Sequence, residues 1–466
     1  MKKKESASIP KKITTESVDT MEVKKIPDFP IIEPPLYRKD EYFTPAATSA
    51  PIVSSLRAQL RKDLWDKDPF ELAYFLHRAK GKSSNIIEHY ITNPGDISLL
   101  PWEEALQIID KFGTNTAKLH LIFAAHTMRQ EKPWESKFTL SANDIISELG
   151  WDKRTDLKNT QKLKEISKLA FALGCLTIQA TWVEGRGNNK VSCSVQTSRI
   201  WETYIDIRSG QLNLEQKIDE PTDVYITVRP GLWTDAFLNR AGCEAKQALY
   251  QFGYLAQDIL KIDPYHDDLA LRLGLHLTVE SRFHISGTYR VQTLLEALLP
   301  KTVINEALDN RDKARKLTNR WNHALKVLSE LKRAFQIEFC PTSYPKELRP
   351  NSKARKPRGY FSQLLTAKIT IHPPAPIPEL LGANTKPQQI LAKLNSVQKI
   401  VKESTARTTT VTGTQIKNAR KAQGWSQAKL AGLLGVSQRY ISMFERGDRT
   451  PNSKQFGKIK KILDIH

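Results

Sequence analysis

Between Ser437 and Gly447, the side chains of Gln438, Arg439, Ser442 and Met443 share one side of a short predicted helix, opposite the apolar Ile441 and Phe444. Such side chains can address the edges of bases. Arginine fits the two acceptors of guanine, a glutamine amide fits adenine, and a methionine can touch a thymine methyl. Ser437, Tyr440 and Arg446 border the same surface, and Gln427 opens the helix before it. Two further groups could meet phosphate. Lys158, Lys162, Lys164 and Lys168 are expected on the exposed side of a helix from about Thr155 to Leu173, with Leu163, Ile166, Leu169 and Ala170 inward. From Arg311 to Phe335 a second long helix holds eight basic residues, Arg315 and Arg320 among them, against Asp312 and Glu330. That imbalance suits a position near a phosphate backbone.

Covalent chemistry has no comparable signature. The sequence holds no Gly-x-x-x-x-Gly-Lys-Ser/Thr loop for nucleotide phosphates, no Gly-x-Ser-x-Gly elbow and no His-x-His pair for a nuclease metal. His120 and His126 sit beside apolar residues and read as core or surface histidines. Cys175, Cys193, Cys243 and Cys340 are scattered, without the paired spacing of a zinc site or a disulfide framework. The expectation is a protein with no catalytic residues, no cofactor and no metal.

The elements that must position these groups are legible in outline. Thr139 to Gly150 has a capping serine, a short amphipathic helix and a terminating glycine, and the basic helix to Leu173 follows. Strand-like Leu176 to Val183, a turn over Glu184 to Asn189 and the alternating Val191, Cys193 and Val195 then form a hairpin. Helix, helix, hairpin is the plan of a winged helix, whose tip would place Arg186 and Lys190 on phosphates. A similar order recurs further on: Ser286 to Leu298 as the short helix, Arg311 to Phe335 as the basic one, and a strand from Phe335 to Phe339. Between Pro341 and about Thr412 the chain is proline-rich and basic, with a strand expected over Leu364 to Ile371 and linker for the rest.

After the linker, Gln415 to Arg420 begins a helix, Ser426 caps a second with Leu430, Ala431 and Leu434 buried, Gly435 turns the chain, and Ser437 caps a third. Gly447 and Pro451 end it, and Phe456, Ile459 and Ile462 give a last helix its apolar stripe. Gly424-Trp425-Ser426-Gln427-Ala428-Lys429-Leu430-Ala431, Gly435-Val436-Ser437-Gln438-Arg439-Tyr440-Ile441-Ser442 and Phe444-Glu445-Arg446-Gly447 together resemble the Cro and phage-repressor, or XRE-type, helix-turn-helix family. That resemblance covers roughly Thr414 to Ile465. It implies that Gln427 contacts phosphate, that Gln438, Arg439 and Ser442 read bases, and that Arg420 and Glu445 form a framework ion pair. Met443 departs from the polar residue often found at its position. Over Thr412 to His466, eleven Lys and Arg residues stand against Glu445, Asp448 and Asp464, a net charge of +8.

The whole chain has 466 residues and a formal charge of +21, from 71 Lys and Arg against 50 Asp and Glu, as a partner of phosphate polymers would need. No apolar run approaches the ~20 residues of a membrane span, and the basic start leads into polar sequence, so a cytoplasmic, nucleoid- or plasmid-associated location without membrane contact is expected. The expected fold class is α+β, mostly α: two winged-helix-like domains followed by a tethered all-α helix-turn-helix domain. The boundaries are a disordered basic, proline-rich tail over 1–50, winged-helix-like domains over 51–215 and 222–372, a linker over 373–411 and the helix-turn-helix over 412–466. This organisation is similar to that of initiators of plasmid or mobile-element replication. Those proteins bind double-stranded DNA at repeated sites and recruit host replication proteins, and a homodimer would suit repeated sites. The alternative is a transcriptional regulator whose large middle region senses a signal or oligomerises.

Overall fold

A computed structural model describes residues 31–37, 41–79, 81–93, 95–185, 187–208, 220–280, 284, 286–382, 413–446, 459, 462 and 463. The chain divides into two units, Met1–Leu381 and Gly382–His466, and helices and strands are mixed in the first.

The first unit begins with β1 (Phe43–Ala47), α1 (Ala50–Leu60), β2 (Asp66–Lys67), β3 (Ala73–Arg78), β4 (Ile86–Tyr90) and α2 (Trp102–Ile109). It continues through α3 (Thr114–Thr127), β5 (Phe138–Ser141), α4 (Ala142–Glu148), α5 (Asn159–Gly174), β6 (Thr177–Glu184), β7 (Val191–Arg199), β8 (Trp201–Arg208) and β9 (Asp223–Pro230). Then come α6 (Trp233–Phe237), α7 (Arg240–Glu244), β10 (Phe252–Ala256), α8 (Gln257–Leu260), α9 (Asp268–Glu280), β11 (Thr288–Arg290), α10 (Val291–Leu298) and α11 (Lys301–Asp309). α12 (Arg311–Glu330), β12 (Gln336–Phe339), α13 (Tyr360–Thr366), β13 (Lys368–His372) and α14 (Ile377–Gly382) complete it.

Two stretches share one plan. In the first, α3, β5, α4, α5, β8 and β9 follow in order, and the antiparallel sheet runs β5-β9-β8. In the second, α9, β11, α10, α12, β12 and β13 follow in order, and the sheet runs β11-β13-β12. In each, the last strand lies between the other two. The leading helices α3 and α9 pack against each other. At that junction Lys118 of α3 is buried and donates Nζ to the carbonyl of Ile262 over 2.7 Å.

Local sequence explains the two long helices. Leu163, Ile166, Leu169, Ala170 and Leu173 recur at helical spacing and are buried along α5, as are Leu317, Trp321, Leu325 and Leu328 along α12. The turn between α4 and α5 depends on Gly150, whose φ of 72° is a left-handed conformation that a side chain would strain. Ser141 caps α4 by accepting from Asn143 N, and Asn310 caps α12 by accepting from the backbone N–H groups of Asp312 and Lys313.

Three expectations are corrected. The hairpin over 176–195, read as the wing, is β6 and β7, and it joins β2, β3 and β4 in a five-stranded sheet, so the strands that return to β5 are β8 and β9. A boundary between 215 and 222 would cut β8 from β9, which are paired from Trp201↔Pro230 to Arg208↔Asp223. The tail ends earlier than residue 50: β1 pairs with β10, and Glu33 N donates to Thr139 O. Arg129 reinforces that attachment by donating to the carbonyls of Pro34, Pro35 and Leu36. Prolines present no obstacle here because each contributes only its carbonyl. Residues 1–30 lie outside the described residues.

In the second unit, α15 (Gly413–Ala422), α16 (Gln427–Leu434) and α17 (Gln438–Arg446) enclose a core of Ile416, Leu430, Ala431, Leu434, Ile441 and Phe444, joined by Ile459 and Leu463. Phe456 of the expected last helix lies outside the described residues.

Candidate nucleic-acid interface

The second unit holds its outward side chains on a fixed frame. Ser426 Oγ accepts from Lys429 N over 3.1 Å to start α16, Gly435 ends it at φ 68°, and Ser437 Oγ accepts from Tyr440 N to start α17. Arg420 of α15 reaches Glu445 of α17 with two bonds, Nε to Oε1 at 2.6 Å and Nη2 to Oε2 at 3.0 Å. Both side chains are buried, 9% and 2% exposed. Burial pushes the Glu445 carboxyl up, but hydrogen bonds from Arg420 and Gln427 outweigh it and hold the group below its ordinary value. On this frame Ser437, Gln438, Arg439 and Arg446 are exposed, and Tyr440, Ser442 and Met443 are half-buried.

In the first repeat, α5 packs against β8 on one side. Lys158, Asn159, Gln161, Lys164 and Lys168 are exposed, and Lys168 lies 3.5 Å from Glu165. Asn159 donates Nδ2 to Asn143 Oδ1 over 3.3 Å, linking the start of α5 to the start of α4. Lys162, expected outward, is instead buried at 7% exposure with Nζ donating to the carbonyl of Arg154. It follows Gln161 on the helix and turns with Leu163 toward the core. Lys190 is exposed at the β6–β7 turn, which belongs to the other sheet, and Arg186 lies outside the described residues.

In the second repeat, Arg315 is 3.3 Å from Asp312 and Arg320 is 3.7 Å from Asp268, with both arginines at least half exposed. Arg311 and Lys316 are exposed beside them. The chain between β12 and β13 returns to this helix, where Lys356 Nζ donates to Asn319 Oδ1 over 3.4 Å and stacks over Tyr360. Burial lowers the Lys356 ammonium pKa, and the Arg315 charge lowers it further. The run Lys353-Ala354-Arg355-Lys356-Pro357-Arg358, read from sequence as linker, is therefore a loop beside α12. Its basic residues were plain in the sequence; their neighbour was not, because only the pairing of β13 between β11 and β12 brings them back.

The second unit's sequence decides its family. Residues 416–466 match the helix-turn-helix family. This is a helix-turn-helix domain. Its framework ion pair is the one between Arg420 and Glu445, and Gln427, at the start of the first helix of the motif, donates Nε2 to Glu445 Oε2 over 2.8 Å. An amide nitrogen carries two N–H groups, so that bond uses one of the two. No curated protein matches the chain. Among solved structures, domains 2 and 3 of RctB are similar at 13% identity and a TM-score of 0.33, covering 68% of this chain and 98% of that one. A second structure of RctB domains 2–3 gives 13% and 0.32, covering 69% of this chain and 99% of that one. Among the described residues no helix is long and apolar enough to cross a membrane.

Proposed function

We infer that the chain is a sequence-specific double-stranded DNA-binding protein that initiates replication of a plasmid or other mobile element, and that its two repeats are winged helices. The observation that carries this reading is the repeated order of helix, strand, helix, helix, strand, strand, with the last strand central in both sheets. In a winged helix of that order the longer helix enters the major groove and the loop between the last two strands flanks it. By that assignment α5 and α12 are groove helices, and the segment 340–367, which includes α13, is the second wing. With the helix-turn-helix domain, one chain then offers three DNA-contacting helices.

Multiplicity is what favours an initiator. Opening or bending an origin requires the protein to offset deformation of the duplex, on the order of 1 to 6 kcal/mol for a smoothly bent short site, and several docked modules supply that better than one. The chain is assigned no catalytic step. Double-stranded DNA is its partner, host replication proteins are its candidates for recruitment, and a homodimer suits repeated sites. A transcriptional regulator remains the second reading because the helix-turn-helix domain would serve either role.

The test is DNA binding by residues 31–381 to fragments from around the gene at several salt concentrations, with maintenance of a plasmid carrying the gene and its flanks. Binding with a steep salt dependence, together with maintenance, supports the initiator. Absence of binding removes the winged-helix assignment, and binding without maintenance leaves the regulator.

A further inference from the structure

The exposed faces of α5 and α12 differ in chemistry. On α12 and its loop, Arg311, Lys316, Lys353, Arg355 and Arg358 are exposed, and none has an ion-pair partner among the described residues. Cations without bidentate partners suit phosphate oxygens, which repeat along DNA whatever the sequence. The exposed face of α5 also carries cations, Lys158, Lys164 and Lys168, but its first turn adds the amides of Asn159 and Gln161. Its Lys168 is close to Glu165, and Asn159 is held by Asn143.

That hold leaves a specific remainder. The bond to Asn143 uses one N–H of the Asn159 amide, and the second N–H and Oδ1 have no partner among the described residues. Those two groups are the donor and acceptor that match N7 and the N6 amino group of adenine in the major groove. A bond to a neighbouring helix also biases the amide toward one orientation before DNA arrives, which favours discrimination between bases.

Resting on the winged-helix reading above, we propose that the two repeats divide their work: Asn159, positioned by Asn143, reads an adenine in the major groove, while Arg311, Lys316, Arg355 and Arg358 grip phosphate without regard to sequence.

Full-length protein is compared in two ways, by selection from random DNA and by the salt dependence of affinity for the selected site. Asn159→Ala should lose preference for adenine at one base pair, on the order of tenfold, without changing the salt slope. Asn143→Ala should weaken preference at that same base pair and nowhere else. Replacing Arg311, Lys316, Arg355 and Arg358 together by alanine should keep the selected sequence and flatten the slope of log K against log salt by about 0.9 for each phosphate that is no longer neutralised. All these side chains are exposed, and unchanged thermal midpoints would verify folding.

A Lys158→Ala, Lys164→Ala double variant separates the two levels of failure. If it flattens the salt slope while Asn159→Ala keeps the parent preference, α5 docks but Asn159 does not read, and the division is wrong. An altered base preference in the quadruple variant also overturns it. If neither the double variant nor Asn159→Ala changes binding, α5 does not meet DNA, and the winged-helix reading of the first repeat falls together with the division.

Discussion

Trp201 donates its indole N–H to Nδ1 of His120 over 2.8 Å, inside the core of the first unit. This fixes the histidine tautomer: the proton sits on Nε2, which donates to Ser55 Oγ at 3.0 Å, and Ser55 in turn donates to the carbonyl of Pro51. The adjacent Ser54 meets the opposite tautomer. His89 donates from Nδ1 to the carbonyl of Thr177 over 2.7 Å, so its Nε2 accepts from Ser54 Oγ over 2.8 Å. Two neighbouring serines of α1 thus meet Nε2 of two buried histidines in opposite roles, Ser55 as acceptor and Ser54 as donor.

Acid should therefore destabilise the first unit. Burial pushes His89, His120 and His126 down to about 3, and His77 to about 4. Unfolded, these histidines take up protons near pH 6.5, so the folded state is fully favoured above that value and loses stability as pH falls toward 3. Each contributes a loss of about 1 kcal/mol between pH 6 and 5. Urea unfolding at pH 7 and pH 5 should give a clearly lower midpoint in acid. A flat midpoint would mean that protons reach these rings in the folded protein.

Glu148 has the opposite sign. Burial pushes its carboxyl up to about 7, while a bond from Leu36 N and the Arg129 charge pull it back only in part. The folded state binds this proton more tightly than the unfolded chain, so its stabilising effect is present below about pH 4.5 and is lost as pH rises through 7. Glu148→Gln keeps an acceptor for Leu36 N without the charge. It should raise stability at pH 8 by up to about 3 kcal/mol but at pH 5 by only about 1 kcal/mol. A gain equal at both values would point to packing instead of ionisation.

Arg420→Ala should cost about 3 to 5 kcal/mol in the helix-turn-helix domain, because it strands a buried carboxylate that is also the partner of Gln427. Thermal melts of residues 382–466 would measure the loss. A midpoint shift equivalent to less than ~1 kcal/mol would place the pair among ordinary surface contacts.

Arg439→Ala should relax sequence preference more than it weakens binding to random DNA, since a bidentate arginine to guanine is worth ~1 to 3 kcal/mol of discrimination. Arg439 is exposed on α17 and has no framework bond to lose. Selection from random DNA is the measurement, and an unchanged consensus would move the reading to Gln438 and Ser442.

The parts legible in the sequence were those specified locally. Ser426, Gly435 and Ser437 punctuate α16 and α17 within a few residues of one another, and the apolar spacing of α5 and α12 announced both helices. Partners distant in sequence were not legible. The hairpin over 176–195 has the alternation of a wing, but alternation does not say which sheet a hairpin joins, and β4 was the stronger claimant through Ile86↔Thr181 and Ile87↔Ala180. Lys162 failed for a related reason: its long stem lets a cation sit on the inner side of a helix when a carbonyl such as that of Arg154 lies within reach.

The pairing of β1 with β10 joins Phe43 to Ala256 and Ala47 to Phe252. On a ribosome, the first strand therefore emerges long before its partner exists. At ~5 to 20 residues per second, synthesis of the intervening chain takes on the order of 10 to 40 seconds, during which β1 has an open edge. Nascent chains should thus protect the β1 segment from proteolysis only after residue 256 has left the exit tunnel, even if the α3–β5–α4–α5 stretch folds earlier.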